Sequence, residues 1–182
     1  MSPGMLKKAR DLHPDIEYIE DDMRTLRLNR SFDTVVIPDS IDYMATLDDL
    51  RLAIQTATVH LKTGGVLLVV AKTEETFQNN NFAYTGEKDS IHVTLLENNY
   101  INPFRPKTYE ATFVYLIRRQ EALTIQTDHH ILGLFSRAIW EKLFYDAGLN
   151  MHMTTLDGIY DPYVLNGGEY PLTIFIGQKI RC

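Results

Sequence analysis

The chain holds one cysteine in 182 residues, and it is the last of them, Cys182. An internal disulfide is excluded, as is a metal cluster built on thiolates, so a reducing cytoplasm is the expected setting. No apolar run approaches the roughly 20 residues of a membrane span, and the N-terminus lacks the apolar stretch of a signal peptide. No membrane partner is expected. Basic residues are also short: 18 Lys and Arg against 24 Asp and Glu give a formal net charge of −6. Lys7-Lys8 and Arg118-Arg119 are too brief to form a phosphate-neutralising surface, so no nucleic-acid partner is expected either. None of the ten glycines forms a G-x-G pattern, the turn that lets backbone approach a dinucleotide or similar cofactor.

What is present suits a globular α/β protein with a sizeable core, at 45% hydrophobic and 23% charged residues. Ser2 and Pro3 suit the cap and first position of a helix with Met5, Leu6, Ala9 and Leu12 on one face, which Pro14 ends. Ile16 to Ile19 reads as a short strand running into Glu20, Asp21 and Asp22. Phe32 to Ile37 carries the unbroken apolar run of a central parallel strand covered on both faces. Thr46, with Asp48 and Asp49 behind it, starts a helix whose apolar period runs to Leu61. Gly64-Gly65 is expected to stop it before a second buried strand, Val66 to Ala71. This is a β-α-β unit.

From Asp89 the period changes to alternation. Ile91, Val93 and Leu95, then Tyr109 to Ile117, then Leu123 to Thr127 predict a three-stranded antiparallel meander, with polar Glu74 to Lys88 as a loop before it. Ser136 is expected to cap a helix that buries Ile139, Trp140, Leu143 and Phe144 and stops at Gly148. Met151 to Leu156 and Leu172 to Gly177 then predict an antiparallel, hairpin-like edge.

Several short matches occur in order: Ser2-Pro3-Gly4-Met5-Leu6, Asp21-Asp22-Met23, Phe32-Asp33-Thr34-Val35, Leu61-Lys62-Thr63-Gly64-Gly65, and Asp128-His129-His130 with Leu134-Phe135 before the helix of Trp140. This order resembles the class I S-adenosylmethionine-dependent methyltransferases, in particular the small-molecule branch that includes the sugar N,N-dimethyltransferases. The resemblance implies a Rossmann-like methyltransferase sheet lacking its first two strands and Gly-rich motif, with an inserted three-stranded antiparallel sheet as substrate lid. Residues 1–88 with 136–182 would form the partial Rossmann-like domain and residues 89–135 the insertion. It implies S-adenosylmethionine as cofactor and methyl transfer to a small-molecule acceptor, an amine before an oxygen. An alternative of another class is a non-catalytic remnant. Its strand Phe32 to Ile37 would pair with another molecule, giving a homo-oligomer, because an open apolar edge invites pairing. A nicotinamide-dependent oxidoreductase is disfavoured, since it too needs the absent Gly-rich turn.

The resemblance assigns Asp22 and Met23 to the adenine, the carboxylate accepting from its amino group. Against this stands a solvated acidic strand end. Pro38, Asp39 and Ser40 follow the end of the expected central strand, where open α/β sheets place ligands; they are either cofactor-binding or a plain turn. Of the two histidines, alternation turns one to each face, and the resemblance selects His130 as base, an imidazole being able to take a proton near neutral pH. The other reading is a sheet-end histidine bonded to backbone. Tyr43, Tyr109 and Phe135 are candidates to line the acceptor pocket, whereas Trp140 reads as core. No metal is expected, because adjacent histidines on one strand diverge.

Overall fold

The computed structural model describes residues 3–180, so Ser2 and Cys182 lie outside the described residues. Helix α1 spans Pro3–Leu12 and buries only Leu6, leaving Met5 and Leu12 on the surface. Strand β1, Phe32–Pro38, leads through a tight 3-10 turn, Ser40–Tyr43, to helix α2, Leu47–Val59. The Thr46 hydroxyl caps α2 by accepting from the Asp49 N–H, as its sequence predicts.

Strand β2 runs Leu61–Ala71, longer than expected. Gly64-Gly65 therefore does not end the helix, which stops at His60; it lies inside β2 beside an irregularity in the β1 register. A Cβ on Gly65 would stand 2.9 Å from the Lys62 carbonyl and 3.0 Å from that of Asp33, so the glycine permits this close approach.

Four strands follow in antiparallel order: β3 Asn80–Lys88, β4 Ile91–Tyr100, β5 Thr108–Arg119 and β6 Ala122–Gly133. The antiparallel sheet thus has a fourth strand over a stretch expected as loop. Polar Asn80, Asn81, Thr85 and Glu87 hid it from a hydrophobic reading, but their backbone pairs with β4 over nine residues. Helix α3, Arg137–Asp146, then β7, Leu149–Leu156, and β8, Leu172–Lys179, complete the chain. The backbone of Ser136 caps α3 without help from its hydroxyl, and Gly148, at φ 74°, ends the turn as expected.

The first sheet has the order β1-β2-β8-β7, with β1 and β2 parallel and the remaining pairs antiparallel. Strands β7 and β8 do pair as expected, and β8 inserts beside β2. Ile16 to Ile19 forms no strand, and β1 is an edge rather than central, with Val36 53% exposed. Without a neighbouring ladder the four-residue apolar segment has nothing to pair with.

Trp140, Phe144 and Phe175 form the aromatic centre of the first core, packed with Leu50, Ile54, Leu67 and Val69. The two sheets meet where the chain leaves the first and returns to it. Thr73 bridges Phe135, Glu74 N–H donates to the Phe135 carbonyl, and Phe82 packs edge-on against Tyr170. Gly133, at the end of β6, is the tightest of these contacts. A Cβ there would collide with the Met44 carbonyl and the Phe135 ring.

Candidate functional site

Because β1 and β2 run parallel with Pro38 opposite Val70, the residues just beyond both strands emerge at the same end of the sheet. These are Asp39 and Lys72. Asp39 takes a left-handed conformation (φ 60°, ψ −26°) that Asp tolerates better than most residues, and its N–H donates to the Val70 carbonyl at 3.0 Å. This reversal turns Asp42 inward and Tyr43 toward the second sheet.

The result is a buried cluster of charge. The Lys72 ammonium donates to Asp39 Oδ1 at 2.8 Å and to Asp42 Oδ2 at 3.1 Å, and the Tyr109 hydroxyl donates to the same Asp42 oxygen at 3.0 Å. Lys72 and Asp42 are only 8% and 5% exposed. Burial pushes the Asp42 carboxyl up to about 6, with Lys72 pulling in the other direction. Burial also opposes the Lys72 charge, but Asp42, the tyrosine hydroxyls and Asp39 together hold it well above its ordinary value. Burial pushes the Tyr109 hydroxyl up strongly, so it stays protonated and serves as a donor. Such a cluster is weak as a stabilising device and is more often found where ligands bind.

This cluster floors a cavity of about 120 Å³ between the sheets, whose walls include Tyr43, Glu97, Asn99 and Phe113. At its rim the Tyr43 hydroxyl lies 3.1 Å from His130 Nδ1, while His130 Nε2 lies 3.0 Å from Asp128 Oδ2. The His130 ring is further held edge-on by Tyr43 and Phe113. Hydrogen bonding by His130 keeps Asp128 below the usual carboxylate range, and burial raises Tyr43. A larger open groove, about 560 Å³ between α3 and β7, holds no buried charge.

Of the residues singled out in the sequence, Asp39, Tyr43 and Tyr109 line the cavity, and His130 touches it through Tyr43. His129 faces the opposite side, exposed, with Nδ1 2.9 Å from the Thr112 hydroxyl. Pro38 and Ser40 flank Asp39. Phe135 packs into the first core and does not line the cavity. Trp140 is core as expected. Asp22 and Met23 stand apart from the cavity, beside the start of α2. Arg24 bonds both Asp22 oxygens and reaches Asp49 Oδ1 at 2.7 Å, which lowers Asp22 to about 2. Asp22 keeps a 41% exposed side chain.

This donor set fits S-adenosylmethionine: an ionised acceptor at Asp22 suits an adenine amino group, and the carboxylate of Asp39 at the strand end suits a cationic or hydroxyl-bearing group. Sequence reasoning missed Asp42, Lys72, Glu97 and Asn99. The available signal was Lys72, a cation directly after the apolar run Val66 to Ala71 at the ligand end of a strand.

Comparison with known proteins agrees with this fold. A family model described as "Methyltransferase domain" matches residues 1–69. The chain is 26% identical over 179 residues to the dTDP-3-amino-3,4,6-trideoxy-alpha-D-glucopyranose N,N-dimethyltransferase of Streptomyces venezuelae, covering 97% of this chain and 70% of that protein. The crystal structure of Streptomyces venezuelae DesVI matches with a TM-score of 0.79 at 26% identity over 97% of this chain and 70% of that one. The sugar N-methyltransferase KedS8 from Streptoalloteichus gives 0.80 at 21% identity over 99% and 69%, a likeness of fold alone. In fold and in sequence the chain is similar to one class, the S-adenosylmethionine-dependent methyltransferases, a likeness that supports S-adenosylmethionine as cofactor. Within it, the relatives named above are sugar N-methyltransferases. No helix among the described residues is long and apolar enough to cross a membrane.

Proposed function

We propose that this protein methylates the amino group of a small-molecule acceptor, an amino sugar, in the cavity between the two sheets. The observation that carries the reading is the cavity itself. It sits at the carboxyl ends of β1 and β2, is rich in carboxylates, and has a proton-accepting pair at its rim. The naming of a relative for an amino-sugar substrate supports the acceptor class.

In this reading Asp22 and Met23 hold the adenine, and Pro38, Asp39 and Ser40 hold the remainder of the cofactor. When bound, S-adenosylmethionine would supply an electrophilic methyl group, with its sulfur keeping the electron pair of the carbon–sulfur bond. Tyr43 and Tyr109 line the acceptor pocket; Phe135 supports it from the core. Asp128 accepts from Nε2–H of His130, which leaves Nδ1 free to accept from Tyr43. Before attack, one proton of the acceptor's ammonium group passes to the Tyr43 oxygen while Tyr43 hands its own to His130, Asp128 stabilises the resulting imidazolium, and the nitrogen's freed lone pair takes the methyl to give an N-methylammonium product. His130 is therefore the base, reached through Tyr43. Such a base contributes a factor of roughly 10² to 10⁴; positioning and exclusion of water by the second sheet supply the rest.

Transfer of labelled methyl to a panel of amino sugars tests this. Turnover should fall by about 10² in His130→Ala. Unchanged turnover in that variant between about pH 6 and 9 would remove His130 as base. The exposed edge of β1 favours a second reading, a non-catalytic chain that assembles through that strand. A monomer that binds cofactor would exclude it.

A further inference from the structure

The charges lining the cavity do not balance. Three carboxylates face it, those of Asp39, Asp42 and Glu97, and Lys72 is the one cation among its described lining residues. Lys72 already bonds both aspartates. Glu97 projects from β4 on the opposite wall, half-buried; its Oε1 accepts from the Asn99 amide at 2.8 Å, and the carboxylate also takes a hydrogen bond from the Tyr84 hydroxyl, neither partner being a cation. Asn99 is 1% exposed, and its own Oδ1 is buried without a partner. A second buried oxygen without a partner, the Tyr170 hydroxyl, belongs to a ring 5.7 Å from the Lys72 ammonium. Desolvated acceptors left unpaired are costly, and a half-buried carboxylate without a cation is more so. What offsets such costs is a ligand that brings hydrogen-bond donors and positive charge.

We propose that Glu97, positioned by Asn99, is a specificity-determining residue that takes an ammonium-bearing acceptor in preference to the same molecule with a hydroxyl in that place. This rests on the amine reading above and extends it. Lys72 neutralises the two aspartates on the floor, and Glu97 is left as the carboxylate that pairs with the ligand. The amine enters as the ammonium ion, is turned toward Tyr43 by Glu97 and the Asn99 carbonyl oxygen, and gives up one proton through Tyr43 to His130 before it acts as nucleophile. A neutral hydroxyl compound leaves Glu97 without a counter-charge and binds less well. The small volume of the cavity restricts this recognition to the amine-bearing edge of a sugar, with the rest of the acceptor outside.

The test uses the full 182-residue chain and two probes: the dTDP-linked amino sugar for which the Streptomyces venezuelae relative is named, and the matching dTDP sugar with a hydroxyl replacing the amine. Calorimetry measures each, beside a separate titration with S-adenosylhomocysteine. The wild type should prefer the amine by about tenfold or more, and Glu97→Gln should erase that preference while leaving S-adenosylhomocysteine affinity unchanged. Glu97→Ala, which removes the carboxylate altogether, should likewise erase the preference and keeps the test open if Glu97→Gln does not fold. A wild type without preference, or a folded Glu97→Gln that retains it, overturns the proposal. A chain that selects the amine through Glu97 but binds no S-adenosylhomocysteine sinks the methyl-transfer reading and leaves this one standing.

Discussion

The two sheets are built on different physics. In the first, β2 alternates buried and half-buried positions, and stacked Trp140 and Phe175, with centroids 4.5 Å apart, close a core of aliphatic side chains from both helices. In the second, β6 is exposed along most of its length and becomes buried only at Leu132 and Gly133, where it reaches the first sheet. Its integrity comes from long ladders, twelve pairs between β5 and β6 and ten between β4 and β5. The first sheet is held by burial, the second by backbone pairing and by docking at one end. The charged cavity lies at that docking line. A junction of this kind can open for a ligand without melting either sheet.

Substitutions on each side should separate these roles. Trp140→Ala empties the first core and should cost about 3–5 kcal/mol in denaturant unfolding, affecting both sheets together. Lys72→Met leaves Asp39 and Asp42 facing each other without a cation. It should cost a similar amount, about 3–5 kcal/mol at neutral pH, and part of that loss should return on acidification as Asp42 takes up a proton.

Asp42 also gives the wild type a pH signature. Its folded value of about 6 exceeds the ordinary 3.8, so the folded state binds its proton more tightly. The associated stability is fully present below about pH 4 and is lost as pH rises through about 6, on the order of 2–3 kcal/mol. Asp42→Asn should flatten that segment of the stability curve measured by thermal unfolding.

Gly133→Ala pushes the end of β6 off Met44 and should cost about 1–3 kcal/mol. Hydrogen exchange should rise across β5 and β6 more than across β2. Ile125→Thr, far out on the exposed part of β6 where Ile125 is 61% exposed, should shift stability by no more than about 0.5 kcal/mol.

The first sheet was the more legible in the sequence for the same reason that it is the more stable. Runs such as Val66 to Ala71, and Thr46 with the helix behind it, carry their burial in their apolar pattern. The second sheet's β3 escaped because Asn80 to Lys88 pairs through backbone, which no side-chain period records. Gly64-Gly65 misled because glycine serves a bulge as readily as a helix stop. In the site, Asp39, Tyr43, Tyr109 and His130 were visible from their places beyond strand ends and from ordered motif matches. Asp42 and Lys72 were not, since their pairing spans thirty positions and appears only once two parallel strands end side by side. Glu97 and Asn99 depended on the sheet-to-sheet approach and had no local signal.

The most direct test of the account is a calorimetric titration of the chain and of Asp39→Ala with S-adenosylhomocysteine. If the junction at the ends of β1 and β2 is the cofactor site, the chain binds saturably and Asp39→Ala weakens binding by about tenfold or more. A folded chain that takes up no S-adenosylhomocysteine, or one that binds it equally well without the Asp39 carboxylate, would contradict that assignment.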